Sequence, residues 1–233
     1  MTADNVAGGW LAIVASPIGN LEDITYRAVR TLSEADLIAA EDTRRARVLC
    51  RHYDIPAKMA SYHTYNEHRK TEHIIRRVED GEKIAVLSDA GTPVISDPGF
   101  LLVRQAYQEN IPLHMIPGVS ALTYAVAVSG LPPDRFFFAG YPPAKKGKRR
   151  NFLEELQAVP ATVFLFESPH RVERLLEDVA AIHGPETYVS LIREATKMHE
   201  EWLRGRVEEI LANHRNRRWR GEFVVGIDTR HKL

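Results

Sequence analysis

The feature that most restricts the fold of this chain is its alternation of short apolar runs with helical patterns. Apolar runs at residues 10–15, 37–40 and 83–88 are each followed by a segment in which apolar residues recur at helical spacing. Strands that alternate with helices form mostly parallel sheets covered by helices on both faces. We therefore predict an α/β fold whose first half contains a mostly parallel sheet.

The remaining elements follow from the same periodicity. Further strands are predicted at 59–62, 112–116, 135–139, 162–166, 188–192, 201–203 and 223–227, and helices at 24–32, 44–52, 66–80, 98–109, 120–129, 168–182 and 207–211. Residues 141–150 are predicted to form a Pro- and Lys-rich loop. The second half is less regular, so we place a domain boundary near residue 117, which gives domains of 10–117 and 118–233.

Three helix starts have recognisable capping signals. Asn66 is a candidate N-cap, and the pairs Asp97–Pro98 and Ser168–Pro169 each place a capping side chain before a proline that suits the first helical position. These pairs predict that the helices begin at Pro98 and Pro169.

Composition excludes several classes of protein. Lys and Arg total 31, as do Asp and Glu, and a net charge of zero argues against a protein that coats naked nucleic acid, although a local basic patch is compatible with it. The single cysteine, Cys50, excludes an intramolecular disulfide and fits a reducing compartment.

We find no signal-peptide pattern and no apolar run near the roughly 20 residues that span a bilayer, so we expect a soluble cytoplasmic protein with no membrane contact. His63, His68 and His73 would fall on different faces of a helix, and no metal site is expected.

The densest functional signal is the segment Ser-Asp-Ala-Gly-Thr-Pro-Val-Ile-Ser-Asp-Pro-Gly at residues 88–99, which separates a strand from a helix. Ligands bind at the carboxyl ends of parallel strands, and small residues allow backbone amides to approach a ligand closely. Dinucleotide-binding, P-loop and nucleophile-elbow motifs do not match. Similar polar turns occur at 16–23, 41–45, 117–120 and 166–171, and five such turns at five strand ends predict a shared cleft.

Together, these segments resemble the tetrapyrrole methylase superfamily and, within it, a branch of ribosomal RNA ribose methyltransferases. The resemblance extends over residues 10–227 and is carried by 15–25, 40–44, 61–63, 88–99, 166–171 and 220–223. It implies a two-domain α/β fold with a mostly parallel sheet in the N-terminal domain, a mixed sheet in the C-terminal domain and the donor in the cleft between them. It also implies S-adenosylmethionine as donor, 2′-O-methylation of a cytidine in the decoding centre of 16S rRNA within the 30S subunit, and a homodimer.

The resemblance further implies roles for individual residues. Thr92 replaces the Asp of the superfamily's Gly-Gly-Asp-Pro donor loop. Arg44, His63 and Arg171 are expected to bind the substrate. The residues expected to bind the donor are Pro17, Asp89, Ala90, Gly91, Thr92, Pro93, Ser120, Ala121, Phe166 and Glu167.

Methyl transfer from a sulfonium to a ribose hydroxyl requires alignment, exclusion of water and a base that accepts the hydroxyl proton. Asp42, Asp23 and Glu167 are the catalytic candidates, and His63 is another candidate base. The sequence does not rank them, but Asp42 is favoured because Arg44 beside it can hold a phosphate.

Two basic segments are predicted to contact RNA, since cations that neutralise phosphates supply much of RNA affinity. In the second segment, Trp219 between arginines suggests stacking on a base. The cations of the two segments are Lys145, Lys146, Lys148, Arg149 and Arg150, and then Arg215, Arg217, Arg218 and Arg220. Two alternatives stay open at this point, a C-methyltransferase for a small tetrapyrrole such as a corrin precursor and an RNA-binding protein without catalysis.

Overall fold

The structure is a computed structural model that describes residues 8–56 and 58–230. It divides into two compact units between Ser120 and Ala121, whereas the boundary predicted from the sequence lies between residues 117 and 118. Residues 1–7, on which the prediction about a signal peptide depends, lie outside the described residues. Among the residues that the structure describes, no helix combines the length and apolar character needed to cross a membrane.

The first unit is built on a parallel five-stranded sheet with strand order β3-β2-β4-β1-β5. The three central strands, β2, β4 and β1, are almost entirely buried, as expected for a parallel sheet covered on both faces. The strands are β1 (Trp10–Val14), β2 (Leu37–Ala40), β3 (Lys58–Ser61), β4 (Lys83–Leu87) and β5 (Leu113–Ile116).

Helices cover both faces of this sheet. Alternate residues of β1 face opposite sides, so that Ala12 packs in the core that includes Leu49, and Leu11 packs in the core that includes Ile75. The first core lies under α1 and α2, and the second under α3 and α4. A 3₁₀ turn at Leu21–Asp23 precedes the helices α1 (Tyr26–Glu34), α2 (Thr43–His52), α3 (Glu67–Glu79) and α4 (Phe100–Gln108).

The second unit contains a mixed five-stranded sheet with strand order β6-β7-β10-β8-β9. β6 is parallel to β7 and the other pairs are antiparallel. The predicted mostly parallel sheet in the first half and mixed sheet in the second are therefore confirmed. The elements are α5 (Ala121–Val128), β6 (Phe136–Phe138), α6 (Lys146–Leu156), β7 (Thr162–Glu167), α7 (Val172–His183), β8 (Tyr188–Arg193), β9 (Glu201–Arg206), α8 (Val207–Asn213) and β10 (Phe223–Asp228).

Two helix starts differ from the prediction. The helix expected after Asp97–Pro98 begins at Phe100, with Gly99 as its N-cap at φ +128°. The helix expected after Ser168–Pro169 begins at Val172. In both cases the Asp-Pro or Ser-Pro pair lies just before the helix and not in its first turn. The loop between the strand and the helix is therefore longer than predicted.

The segment predicted as a loop at 141–150 is helical from Lys146 onward. The helix turns Arg149 inward, on the same face as Leu153 and Leu156, all three of which are buried. The Arg149 guanidinium donates from Nε to Asp178 Oδ2 at 2.8 Å, and its Nη2 lies 2.7 Å from the same oxygen, with both side chains less than 10% exposed. Arg149 therefore holds α6 against α7 and is not presented to a partner.

Replacing Arg149 by Ala should lower the free energy of unfolding by about 3–5 kcal/mol, because Asp178 would be left buried and unpaired. Urea denaturation of the wild-type protein, Arg149→Ala and the exposed neighbour Lys148→Ala measures this effect. The Lys148 variant should stay within about 0.5 kcal/mol of wild type. An Arg149 variant as stable as the Lys148 variant would contradict the assignment.

Candidate active site

The carboxyl ends of β1 and β4 are tied together by backbone pairing between their loops. Ser16 and Gly91 form an antiparallel bridge, in which Ser16 N donates to Gly91 O at 2.8 Å and Gly91 N donates to Ser16 O at 3.1 Å. Ser16 Oγ also donates to Ser88 O at 3.2 Å. Two of the five polar turns predicted to converge therefore do meet at one edge of the first sheet.

This edge requires small residues at two points. Gly91 has φ +76°, a left-handed conformation that glycine adopts without strain, and a Cβ there would lie 3.4 Å from Ile18 Cγ2. A Cβ on Gly118 would lie only 2.9 Å from Ala15 Cβ. The loop at 89–93 also leaves Ala90 exposed while Pro93 is buried. Gly91 is buried as well, and its backbone N and O are both bonded to Ser16, so the small residue that this loop exposes is Ala90.

A pocket of about 230 Å³ opens beside these loops. It lies between the loop after β1, the end of β4 and the first two turns of α2. Pro17 and Asp89, both predicted to bind the donor, contribute to its walls. The lining residues are Ser16, Pro17, Leu21, Arg45, Ala46, Val48, Leu49, Leu87, Ser88 and Asp89.

Asp89 links the loop after β4 to the start of α2. Its Oδ1 accepts a hydrogen bond from Asp42 N at 2.9 Å, and its Oδ2 lies 3.4 Å from Arg45 Nη1. One carboxylate thus fixes the position of a neighbouring strand end across 47 residues of sequence.

Asp42, the base favoured by the sequence, accepts hydrogen bonds from Arg44. Asp42 Oδ1 accepts from Arg44 N at 2.8 Å, and both carboxylate oxygens accept from the Arg44 guanidinium, the closest contact being 2.7 Å. These hydrogen bonds lower the pKa of Asp42 to about 2. A carboxylate with so low a proton affinity is a poor proton acceptor at neutral pH.

Asp97 has the opposite electrostatic environment. It is half-buried in the loop before α4, and this burial, followed by the nearby charges of Glu41 and Asp89, raises its pKa to about 7, although a hydrogen bond with Ser88 lowers it. Burial and Asp89 also raise the pKa of Glu41, at the end of β2. The sequence analysis missed Asp97 because its pairing with Pro98 was interpreted as a helix cap. The sequence pattern that could have indicated Asp97 is the presence of a second acidic residue, besides Asp89, in the polar loop at 88–99.

His63 and Asp23 also lie at loop positions of the first unit. His63 follows β3, its backbone N donates to Asn66 Oδ1 at 3.0 Å, and its charge lowers the pKa of Glu41. Asn66 is the predicted N-cap of α3, but its side chain bonds to His63 and not to the helix. Within the described residues, His63 Nδ1 and Asp23 Oδ2 are buried without a hydrogen-bond partner.

The second unit separates the neighbouring residues Phe166 and Glu167 onto opposite faces of β7. Phe166 packs against Phe138 and Tyr141, with ring centroids 4.8 and 5.6 Å apart. Glu167 is buried, and its Oε1 accepts from Ser168 N at 2.7 Å and from Arg171 Nε at 2.7 Å. Among the described atoms, Glu167 Oε2 has no partner.

Ser120 and Ala121, the other two predicted donor contacts, are half-buried and stand on either side of the boundary between the units. Ala121 is the first residue of α5.

The predicted RNA-contacting segments are only partly exposed. Trp219 is 8% exposed and packs in the core against Phe223, so the prediction that it stacks on a base is wrong. Arg217 covers the Trp219 ring at 4.7 Å and pairs with Glu201. Arg150 is half-buried. The exposed cations of the two segments are Lys145, Lys146, Lys148, Arg215, Arg218 and Arg220. Over residues 8–56 and 58–230, no cluster of three or more His, Cys, Asp or Glu could hold a metal ion.

The raised pKa of Asp97 predicts a pH dependence of stability. Its pKa rises from 3.8 to about 7 on folding, so the folded state binds the proton more tightly. Its contribution is fully present below pH 4 and is lost as the pH rises through about 7. Asp97→Asn should therefore be more stable than wild type above pH 7, with an upper limit of about 4 kcal/mol, and the difference should shrink toward pH 4.

Thermal and urea unfolding between pH 4 and 8 measures this difference, with the exposed Asp80→Asn as the matched control. A constant difference across that range would contradict the assignment.

Comparison with known proteins identifies the fold. The family model of Tetrapyrrole (Corrin/Porphyrin) Methylases matches residues 11–211. A solved uroporphyrin-III-C-methyltransferase from Thermus thermophilus has a TM-score of 0.67 at 21% identity, covering 96% of both chains. A diphthine synthase has a TM-score of 0.72 at 14% identity, covering 94% of this chain and 89% of its own. A Thermus thermophilus uroporphyrin-III C-methyltransferase complexed with S-adenosylhomocysteine has a TM-score of 0.65 at 18% identity, covering 95% of this chain and 98% of its own.

Curated relatives are much more similar in sequence. Three proteins named ribosomal RNA small subunit methyltransferase I align over nearly the whole chain. The one from Halalkalibacterium halodurans is 46% identical over 94% of this chain and 76% of its own length. The one from Thermotoga maritima is 45% identical, covering 93% and 97%, and the one from Escherichia coli O157:H7 is 44% identical, covering 97% and 80%. The resemblance predicted from the polar turns is confirmed, and the chain belongs to the tetrapyrrole methylase family.

Proposed function

We propose that this protein methylates small-subunit ribosomal RNA, transferring a methyl group from S-adenosylmethionine to the ribose 2′-OH of a cytidine in the decoding centre of 16S rRNA. The observation that carries this proposal is the 44–46% identity, over more than nine-tenths of the chain, to proteins named ribosomal RNA small subunit methyltransferase I. The two solved uroporphyrin-III C-methyltransferases share the fold at about half that identity or less, which does not favour a tetrapyrrole acceptor.

The donor loop has the properties that S-adenosylmethionine requires. When bound, this donor supplies a methyl group on a positively charged sulfur. Ala90 is exposed and has a small side chain, the bridge between Ser16 and Gly91 fixes the loop, and the approach of Gly118 to Ala15 leaves no room for a larger residue. We assign the donor to the ten residues carried over from the resemblance, namely Pro17, Asp89, Ala90, Gly91, Thr92, Pro93, Ser120, Ala121, Phe166 and Glu167.

The pocket beside α2 is assigned to the acceptor nucleoside. Enzymes that modify a nucleotide take it out of its stack into a pocket, where water is excluded and the reacting atoms are aligned. The apolar wall formed by Leu21, Val48 and Leu49 provides such a surface. Arg44 and His63, at the neighbouring strand ends, are assigned to the flanking ribose and phosphate groups.

We assign the role of proton acceptor to Asp97 in preference to Asp42, Asp23 or Glu167. A general base works best when its pKa lies near the operating pH, and the Asp97 pKa of about 7 meets that condition. Asp42 is held ionised by Arg44, and Glu167 Oε1 is already occupied by hydrogen bonds from Ser168 N and Arg171 Nε. Asp97, Glu41 and Asp89 lie together at the edge where β2 and β4 end, beside the donor loop.

The remaining partners follow from the substrate. The 30S subunit is proposed as the particle that is methylated, which places the protein in the cytoplasm, and a homodimer is proposed from the family resemblance. Arg171 and the exposed cations of the second unit, among them Lys145, Lys146, Lys148 and Arg218, are proposed to contact rRNA, with Arg150 at the edge of that surface. Arg149 is removed from this set by its buried pairing with Asp178.

A methyl-transfer assay tests the proposed function. The protein is incubated with labelled S-adenosylmethionine and, separately, with undermethylated 30S subunits and free 16S rRNA, and any 2′-O-methylated nucleotide is mapped. We expect one decoding-centre cytidine to be labelled in the 30S subunit. Donor binding without label in either RNA would exclude the rRNA substrate, and absence of donor binding would exclude the enzyme.

Replacement of the proposed base should change both the rate and its pH dependence. In wild type, the single-turnover rate should rise about tenfold per pH unit below pH 7 and level off above it. Asp97→Asn should lower the rate by about 10²–10⁴-fold and abolish this rise, with donor affinity unchanged. Asp42→Asn should lower the rate less than about tenfold and keep the wild-type pH profile. The reverse pattern would assign the base to Asp42.

A further inference from the structure

The outward face of α2 carries a concentration of positive charge in a chain whose net charge is zero. α2 contains four arginines and one histidine among ten residues, and no acidic residue. Arg44, Arg47, Val48 and Arg51 follow the spacing i, i+3, i+4 and i+7, so they lie on one face of the helix. We call Arg44, Arg47 and Arg51 the α2 arginine stripe. It extends over roughly 10 Å of helix at 1.5 Å per residue.

The stripe is exposed because the other face of α2 is buried. Ala46, Leu49 and Cys50 are 5%, 6% and 2% exposed and pack into the core between the helix and the sheet. The three arginines of the stripe all point to solvent, with the Arg44 side chain 85% exposed. The side chain of Val48, between them, is also solvent-exposed.

Acidic groups reach only the N-terminal end of the helix. Asp42 and Asp89 hold the first two arginines of α2, as described above. Within the described residues, Arg47 and Arg51 form no ion pair and no side-chain hydrogen bond. Their charges are therefore not neutralised by the described residues of the unit that carries them.

The next helix contains arginines whose charge is cancelled by neighbouring carboxylates. On α3, Arg76 pairs with Glu72, and Arg77 pairs with Glu82 just beyond the helix. Exposed pairs of this kind contribute little to stability, but they cancel charge. The stripe on α2 differs because the helix itself offers no carboxylate.

The stripe also borders the pocket assigned to the acceptor. α2 contributes Arg45, Ala46, Val48 and Leu49 to the wall of that pocket, and Val48 belongs to the same face as the stripe. A chain segment that enters the pocket from this side passes over the guanidinium groups. The two basic segments recognised in the sequence, 145–150 and 215–220, belong to the second unit, whereas α2 belongs to the first.

We propose that the α2 arginine stripe binds the phosphates of the rRNA strand that delivers its nucleotide to the acceptor pocket. The inference rests on the proposed function and assigns its RNA contact to the first unit. Guanidinium groups bind phosphate oxygens with two parallel hydrogen bonds. Within the described residues, Arg47 and Arg51 form no ion pair, and they continue the row that begins at Arg44, which pairs with Asp42. Arg47 and Arg51 contribute binding to the backbone and no selectivity for the base.

The test is the salt dependence of binding. Dissociation constants for undermethylated 30S subunits and for free 16S rRNA are measured between 50 and 200 mM KCl for wild type and for Arg47→Ala/Arg51→Ala. Each lost phosphate contact should reduce the slope of log K against log salt by about 0.7–0.9, so the double variant should lose about 1.4–1.8. At 100 mM salt its affinity for both RNAs should fall at least about tenfold.

The matched control is Arg69→Ala/Arg104→Ala. These two exposed arginines lie on α3 and α4, which cover the opposite face of the sheet, and within the described residues neither forms an ion pair. The control removes the same charge and should change affinity less than about twofold. Unfolding midpoints and S-adenosylmethionine affinity of both variants should equal those of wild type, which separates RNA binding from folding.

The outcomes distinguish this inference from the proposed function. An active wild-type enzyme whose α2 variant keeps the wild-type affinity and slope would overturn the inference alone. Loss of affinity for the 30S subunit with unchanged affinity for free 16S rRNA would also overturn it, since the stripe would then contact a ribosomal protein. A wild-type protein that binds S-adenosylmethionine but methylates neither RNA would overturn the proposed function first.

Discussion

Parallel pairing of β2, β4 and β1 is the constraint on which the chemistry of the first unit depends. Because parallel strands end at the same edge, the loops that follow them become neighbours although Asp42 and Asp89 are 47 residues apart in sequence and Ser16 and Gly91 are 75. The Ser16–Gly91 bridge and the hydrogen bond from Asp42 N to Asp89 then fix these loops to each other. The loop at 88–99, the acidic residues and the first turn of α2 acquire their relative positions from the sheet.

Two carboxylic acids at this edge show how neighbouring groups decide chemical character. Asp42 is solvated and bonded to a guanidinium, so its charged form is stabilised and its pKa falls. Asp97 is partly desolvated beside Glu41 and Asp89, so its neutral form is stabilised and its pKa rises. The second arrangement reduces the stability of the folded state at neutral pH, and strained or electrostatically unfavourable groups of this kind concentrate at functional sites.

Neighbouring groups also decide which arginines remain available to bind a partner. In the folded chain, Arg149 forms a buried ion pair with Asp178. Arg217 lies over the Trp219 ring and pairs with Glu201. In the α2 stripe, Arg44 pairs with Asp42, whereas Arg47 and Arg51 form no ion pair within the described residues. A count of basic residues in the sequence does not exclude Arg149 and Arg217, because the availability of an arginine depends on what its side chain faces in the folded chain. An arginine becomes available to a polyanion only when its own unit leaves it unpaired.

The sequence by itself determined the fold class, the order of the elements and the family, because hydrophobic periodicity and the polar turns at strand ends are local patterns. It also indicated which loops carry the donor and acceptor residues, although those assignments stay predictions. Only the tertiary structure decided that α4 and α7 begin two or three residues beyond their proline signals, that α6 replaces a loop and that Trp219 is buried. It likewise decided that the pKa of Asp97 is raised whereas that of Asp42 is lowered. The physical reason is that burial and electrostatic interaction act through space, between residues far apart in the chain, and no local pattern of residues records them.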